Sequence, residues 1–159
     1  MLPDFLGKFH SQLEAYKLDY LKIQAKPLRR DEALLLTQSK FLGKPFLPVG
    51  TPYPYDVLGK PMILLAQINF AEAPALAGYP TKGILQLFVS PTEWYNMEPK
   101  DYRILYHPHT QIEAQTDFSF LTSDLYSDSP INVEHSLLFS KEIEYGGTQD
   151  CRFQARQQT

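Results

Sequence analysis

The sequence predicts an α+β domain dominated by strands: a sheet with an N-terminal amphipathic helix and a long proline-rich loop. Three observations carry the prediction. Apolar residues alternate or cluster in short strand-length runs over most of the chain, helical spacing is confined to residues 2 to 16, and prolines crowd residues 42 to 61. Thirteen prolines and 13% aromatic residues tilt the balance further toward strands and ordered loops.

In chain order, Leu2, Phe5, Leu6, Phe9, Leu13 and Tyr16 recur at intervals of three and four, which lines one face of a helix, and Pro3 suits a first turn. "DYLKIQAKP" follows, alternating Leu21, Ile23 and Ala25 with Lys22, Gln24 and Lys26, as a half-buried strand does. "LGKPFLPVGTPYPYDVLGKP" then holds five prolines and three glycines, so it reads as an ordered irregular loop in which Phe46, Tyr53 and Tyr55 pin the backbone to the core.

A strand over Ile63 to Phe70, a helical turn near Ala71 to Ala77, a "GYPTKG" turn and a strand over Ile84 to Ser90 come next. Their link is short for a parallel crossover, and the sequence leaves antiparallel and crossover connections both open. "DYRILYHP" predicts another strand. "NVEHSLLFSKEIEY" predicts a long one whose Val133, His135, Leu137, Phe139 and Ile143 share a side. The whole of residues 1 to 159 is expected to form one domain, large enough to bury about two thirds of its unfolded surface without a metal or disulfide.

Composition excludes several partner classes. A formal net charge of -3 leaves no basic excess to neutralise phosphates, so nucleic acid is not an expected partner. The longest apolar run, Met62 to Ala66, is far short of the ~20 residues that span a bilayer, and no basic segment precedes an apolar stretch near Asp4 as in a secretory signal. The single cysteine, Cys151, has no partner in the chain and fits a reducing compartment, so a cytoplasmic location is expected.

Candidate chemistry is sparse. "HPH" places His107 and His109 two apart, as metal ligands on one strand face would be, with His135, Glu113 and Asp117 as further donors; Pro108 between them places the pair where a strand enters a loop. Cys151 with His135 could in principle form a nucleophile and base, since such pairs assemble in space, but nothing around "QDCRF" marks a nucleophile. Glu142 and Glu144 read as strand-surface charges, the serines lack a nucleophile elbow, and "GKP" at 43 and at 59 lacks the rest of a phosphate loop. No catalytic residue and no cofactor is assigned.

The amides remain. Gln67 and Asn69 are expected to share one face of their strand with Ile63 and Leu65, while Leu64, Ala66, Ile68 and Phe70 line the other, the pattern of a central strand covered on both faces. Buried amides must be hydrogen-bonded, so Gln67, Asn69 and Gln86 are expected to tie strand ends to loop backbone or to floor a ligand pocket.

Residues 39 to 90, "SKFLGKPFLPVGTPYPYDVLGKPMILLAQINFAEAPALAGYPTKGILQLFVS", resemble the signature of the YwqG-like family, bacterial proteins carrying a domain of unknown function. Ser39, Lys40, Gly43, Pro45, Leu47, Pro48, Gly59, Pro61, Gln67, Asn69, Pro80, Gly83, Gln86 and Phe88 meet the family pattern. Leu42 stands where the pattern has the first glycine of a pair, and Tyr53 where tryptophan is usual. The resemblance implies a longer family fold of which this chain is the N-terminal half plus part of the middle. Self-association is therefore expected to supply the missing surface, unless the chain is a truncated product.

The resemblance transfers a fold and no mechanism. The functional expectation is a non-catalytic module that binds a protein or small ligand, in a regulatory or immunity-like role, through Lys40, Gly43, Pro45, Pro48, Gln67, Asn69, Gly83 and Gln86. The alternative is an enzyme or metal protein built on His107, His109 and Asp117.

Overall fold

The computed structural model describes residues 4–95 and 98–145. Six strands, β1 (Leu18–Pro27), β2 (Lys40–Phe41), β3 (Ile63–Asn69), β4 (Ile84–Val89), β5 (Tyr102–His107) and β6 (His135–Glu144), form one sheet of order β1-β6-β2-β3-β4-β5. Every pairing is antiparallel, which settles the link between β3 and β4 as a return rather than a crossover. Among the described residues the last strand, β6, lies between β1 and β2, so strands far apart in sequence lie side by side. Among the described residues no helix is long and apolar enough to cross a membrane.

The N-terminal helix is shorter than its apolar spacing predicts. A 3-10 turn covers Asp4–Phe9 and a single α-helix, α1, only His10–Glu14. No residue of either is buried, and Phe5 is 76% exposed. Gly7 interrupts the run and no side chain caps the start of α1, so too few turns form to be stable or to present a stripe. Leu2 and Pro3 lie outside the described residues.

A β-bulge revises the facing of β3. Leu64 pairs with Phe88 and Ala66 with Leu87, leaving Leu65 as the extra residue. The extra residue reverses the alternation, so Leu64, not Ile63 or Leu65, shares a face with Gln67. Gln67 lies directly opposite Gln86. Without the bulge the apolar and amide ends of this strand would point to opposite faces of the sheet.

The two faces are covered unequally. Residues 42–62 fold back over the amide face, burying Phe46 and Leu47 and packing Tyr53 on Met62, Leu64 and Phe88. The Tyr53 ring meets Phe88 at 5.7 Å and Phe120 at 4.8 Å, both edge-on, and its hydroxyl donates to Met62 O at 2.7 Å. On the other face, Leu125, Trp94 and Tyr102 gather around Ile63 and Val89. That cluster covers one end only. Leu65, Ala66, Ile68, Leu85 and Phe139 stay half-buried, so β3 is central in the sheet but closed on one face rather than both.

Tight turns join these layers. Leu42 has φ 59° and the following Gly43 φ 81°, a left-handed pair at the exit of β2. Gly83 opens β4 with φ 89°, and a side chain there would lie 2.8 Å from His107 O and 2.7 Å from the Tyr106 hydroxyl. Gly59 shares the positive φ but faces open space. Gly59→Ala is therefore expected to cost about 1–2 kcal/mol from backbone strain alone, and Gly83→Ala measurably more; equal losses in urea unfolding would show that close packing is not what requires glycine at position 83.

Candidate functional site

The polar residues of the 39–90 segment converge on the buried face of β3 and β4. Gln67 uses its whole hydrogen-bonding capacity: Nε2 donates to Leu36 O at 2.7 Å and Gln38 O at 2.8 Å, and Oε1 accepts from Phe46 N at 2.9 Å and Gln86 Nε2 at 2.8 Å. Gln86 Nε2 also donates to Phe46 O at 2.7 Å, and its Oε1 meets His107 Nε2 at 3.0 Å. Both amides are fully buried. Backbone that enters and leaves β2 is thereby held on a sheet to which it contributes almost no ladder of its own.

Asn69 repeats the arrangement at the strand end. Its Nδ2 donates to Thr37 O, its Oδ1 caps Ala71 N, and its backbone N–H donates to the Ser39 hydroxyl at 2.8 Å. Lys40 donates from Nζ to Leu35 O at 2.7 Å and Lys44 O at 3.0 Å. It is 2% exposed, and burial pulls its ammonium down to about 8, against the opposing pull of Glu134 and Glu72. Lys40 also floors a cavity of about 480 Å3 whose wall includes Arg29, Arg30, Lys44, Glu32 and Glu134.

The other signature residues shape backbone. Pro45 is fully buried. Pro48 makes an isolated bridge to Ala114, and a side chain at Gly43 would come within 2.7 Å of the Glu134 carboxylate.

Sequence reasoning missed Gln115, whose Nε2 donates to Pro48 O and Thr51 O, and Asp56, which accepts from Leu58 N, Lys60 N and the Ser90 hydroxyl. "YDVLGK" carried a usable signal for Asp56, an acid three residues before a glycine in a turn. Gln115 sits in a polar stretch without periodicity, and nothing local distinguishes it.

The metal-like histidines are separated in role. His107 ends β5, bonds Gln86 and packs edge-on to Phe46 at 5.8 Å, and burial lowers its pKa. His109 is exposed, and Asp117 is an exposed turn acid whose carboxyl is held low by the Ser119 N–H. Among the described residues no three His, Cys, Asp or Glu side chains stand together in a metal-holding group. His135 Nδ1 lies 2.7 Å from Val133 O, and Cys151 lies outside the described residues.

A family model described as "Domain of unknown function (DUF1963)" matches residues 39–159. The chain belongs to this family. Gln67, Asn69 and Gln86, β2 through β6 and the segment over the amide face all fall inside the DUF1963 match, whereas α1, β1 and the Leu36, Thr37 and Gln38 carbonyls that the amides hold precede it. No curated protein matches the chain.

A second feature of this DUF1963 fold is a groove on the less covered face. β2 meets β6 only at Lys40↔Ser136 and Phe41↔His135, and the last contact along that line is Leu137 N to Ser39 O at 3.4 Å. Beyond it the backbone groups of Phe139, Lys141 and Ile143 face a gap with no strand partner among the described residues. The gap opens into a groove of about 770 Å3 whose lining includes Ile23, Phe139, Ile68, Leu85, Phe70 and Leu76.

Two outcomes test the amide and lysine roles. Each buried group left unpaired costs ~1–3 kcal/mol, so Gln67→Leu, which orphans Phe46 N–H and two carbonyls, is expected to destabilise by about 3 kcal/mol or more in urea unfolding. Retention of the wild-type midpoint would count against the network as the element that holds the segment.

Lys40 releases its proton near pH 8 when folded and near 10.5 when unfolded. The unfolded chain then binds more protons between those values, so this group's contribution to stability rises with pH. The stability of the wild type relative to Lys40→Met should rise from pH 8 toward pH 10, and a flat difference would contradict the burial of the charged form.

Proposed function

We propose that this DUF1963 chain is a non-catalytic bacterial cytoplasmic binding module of the YwqG-like kind, and that it docks an extended, alternately apolar segment of a protein partner in the groove beside β6. The single observation carrying the reading is the juxtaposition of β6 backbone groups that have no strand partner among the described residues with an apolar floor. Strand addition uses those two features: main-chain bonds give affinity, and alternate side chains enter the groove for specificity. Gln67, Gln86 and Asn69, the amides expected to floor a ligand pocket, are occupied by backbone partners, which moves the docking surface away from the signature itself. The single cysteine supports the location.

The groove is tested with two probes. 8-Anilinonaphthalene-1-sulfonate should fluoresce on the natively folded protein, as judged by near-UV circular dichroism and a cooperative melt, and lose that signal with Phe139→Glu. A soluble peptide of alternating valine and threonine should displace the dye. Dye silence on the wild type, or a peptide that leaves bound dye undisturbed, overturns the reading.

A further inference from the structure

The β1–β6 pair is the least supported part of the sheet. It runs in register from Leu18↔Glu144 to Pro27↔His135, but β2 reaches β6 only at Ser136 and His135. From Gln24↔Leu138 to Leu18↔Glu144 the sheet is therefore two strands wide. A ribbon of that width is marginal in water and gains independent stability from a third strand.

The outer edge of β1 is chemically prepared for one. Leu28 N donates to Glu134 O at 2.8 Å, which sets the even-numbered residues of β1 as those bonded to β6. The N–H and C=O groups of Asp19, Leu21, Ile23 and Ala25 consequently point outward, and no described group bonds to them. Lysines commonly guard such edges, but Lys22 is tied to Glu142 at 3.2 Å and Asp19 to Lys141 at 2.8 Å. Pro27 withholds a donor only at the end of the strand.

We propose that the third strand is β1 of a second copy of this chain, antiparallel to the first about a two-fold axis at Ile23. Strand overlap and charge select that register: it pairs residues 19–27 of the two copies, where centring on Leu21 would pair only 18–24 of β1, and charge disfavours the two flanking registers. Centred on Ile23, Lys22 lies opposite Gln24 of the other copy, Lys26 opposite Tyr20, and Leu21 opposite Ala25, so no like charges face each other. Centring on Lys22 brings the two copies' Lys22 side chains together, and centring on Gln24 sets Lys22 against Lys26; like charges directly opposite are destabilising. The chosen register also pairs outward groups only with outward groups and continues the Leu21, Ile23 and Ala25 face across both copies. The side chains of Leu21 and Ile23 also line the groove beside β6, but the dimer is made by the outward main-chain groups of β1 rather than by the groove, so the inference does not rest on the proposed partner.

Sedimentation velocity of the full chain over a concentration series tests it. The wild type should show a reversible monomer–dimer equilibrium. Ile23→Pro removes one outward N–H at an edge position that tolerates proline, and should give a monomer with its cooperative melt retained. Gln24→Glu places an anion opposite the second copy's Lys22 and Gln24→Lys a cation, so their dimer dissociation constants should differ by roughly tenfold in favour of the acidic variant at low salt, narrowing as salt rises. A wild type that stays monomeric at every concentration, or a dimer indifferent to both Gln24 variants, overturns the proposal.

Discussion

The Gln67 to Gln86 hydrogen bond, with Phe46 clamped by both side chains, is the interaction on which the rest of this fold depends. Two neighbouring strands present amides to the same point, and a single peptide unit of the covering segment supplies one donor and one acceptor to them. A carboxylate or hydroxyl at either position could not serve both needs at that reach. Because Gln67 also holds Leu36 and Gln38, one side chain determines where the chain enters and leaves β2. A two-residue β2 is enough of a strand only because those amides replace the ladder that it lacks.

That arrangement explains the division of labour between the faces. Polar groups of the signature are directed inward, where they fix backbone, and Pro45, Phe46 and Leu47 seal them from water. Among the described residues the opposite face carries no comparable cover beyond the Ile63 end, and its side chains stay half-buried. His107 belongs to the inward set: burial lowers its pKa, and its ring meets Gln86 and Phe46.

Much of this was legible in the residues. The strands announced themselves by alternation, and the amides within apolar runs could only be buried and bonded. What local pattern could not reveal was non-local. The bulge at Leu65 depends on how β3 meets β4, and no property of "ILLAQIN" alone distinguishes it from a regular strand. The N-terminal stripe of apolar residues had the right spacing, yet the α-helix it gives is five residues long and buries none of them. Leu42, which replaces a glycine of the family pattern, proves to occupy a left-handed backbone position while its side chain is buried. Strain of ~1–2 kcal/mol there is offset by an apolar burial of similar size.

The pairing of β1 with β6 has a kinetic corollary. Tyr20 and Glu142 are bonded across 122 residues of sequence, whereas β3, β4 and β5 meet through short connections. Local pairings form before contacts that must close almost the whole chain. The meander is thus the natural nucleus and the terminal ribbon the last region to assemble. Opening of that ribbon would expose strand edges while the amide-bonded centre stays closed, making it the first cooperative unit to yield under thermal or mechanical load.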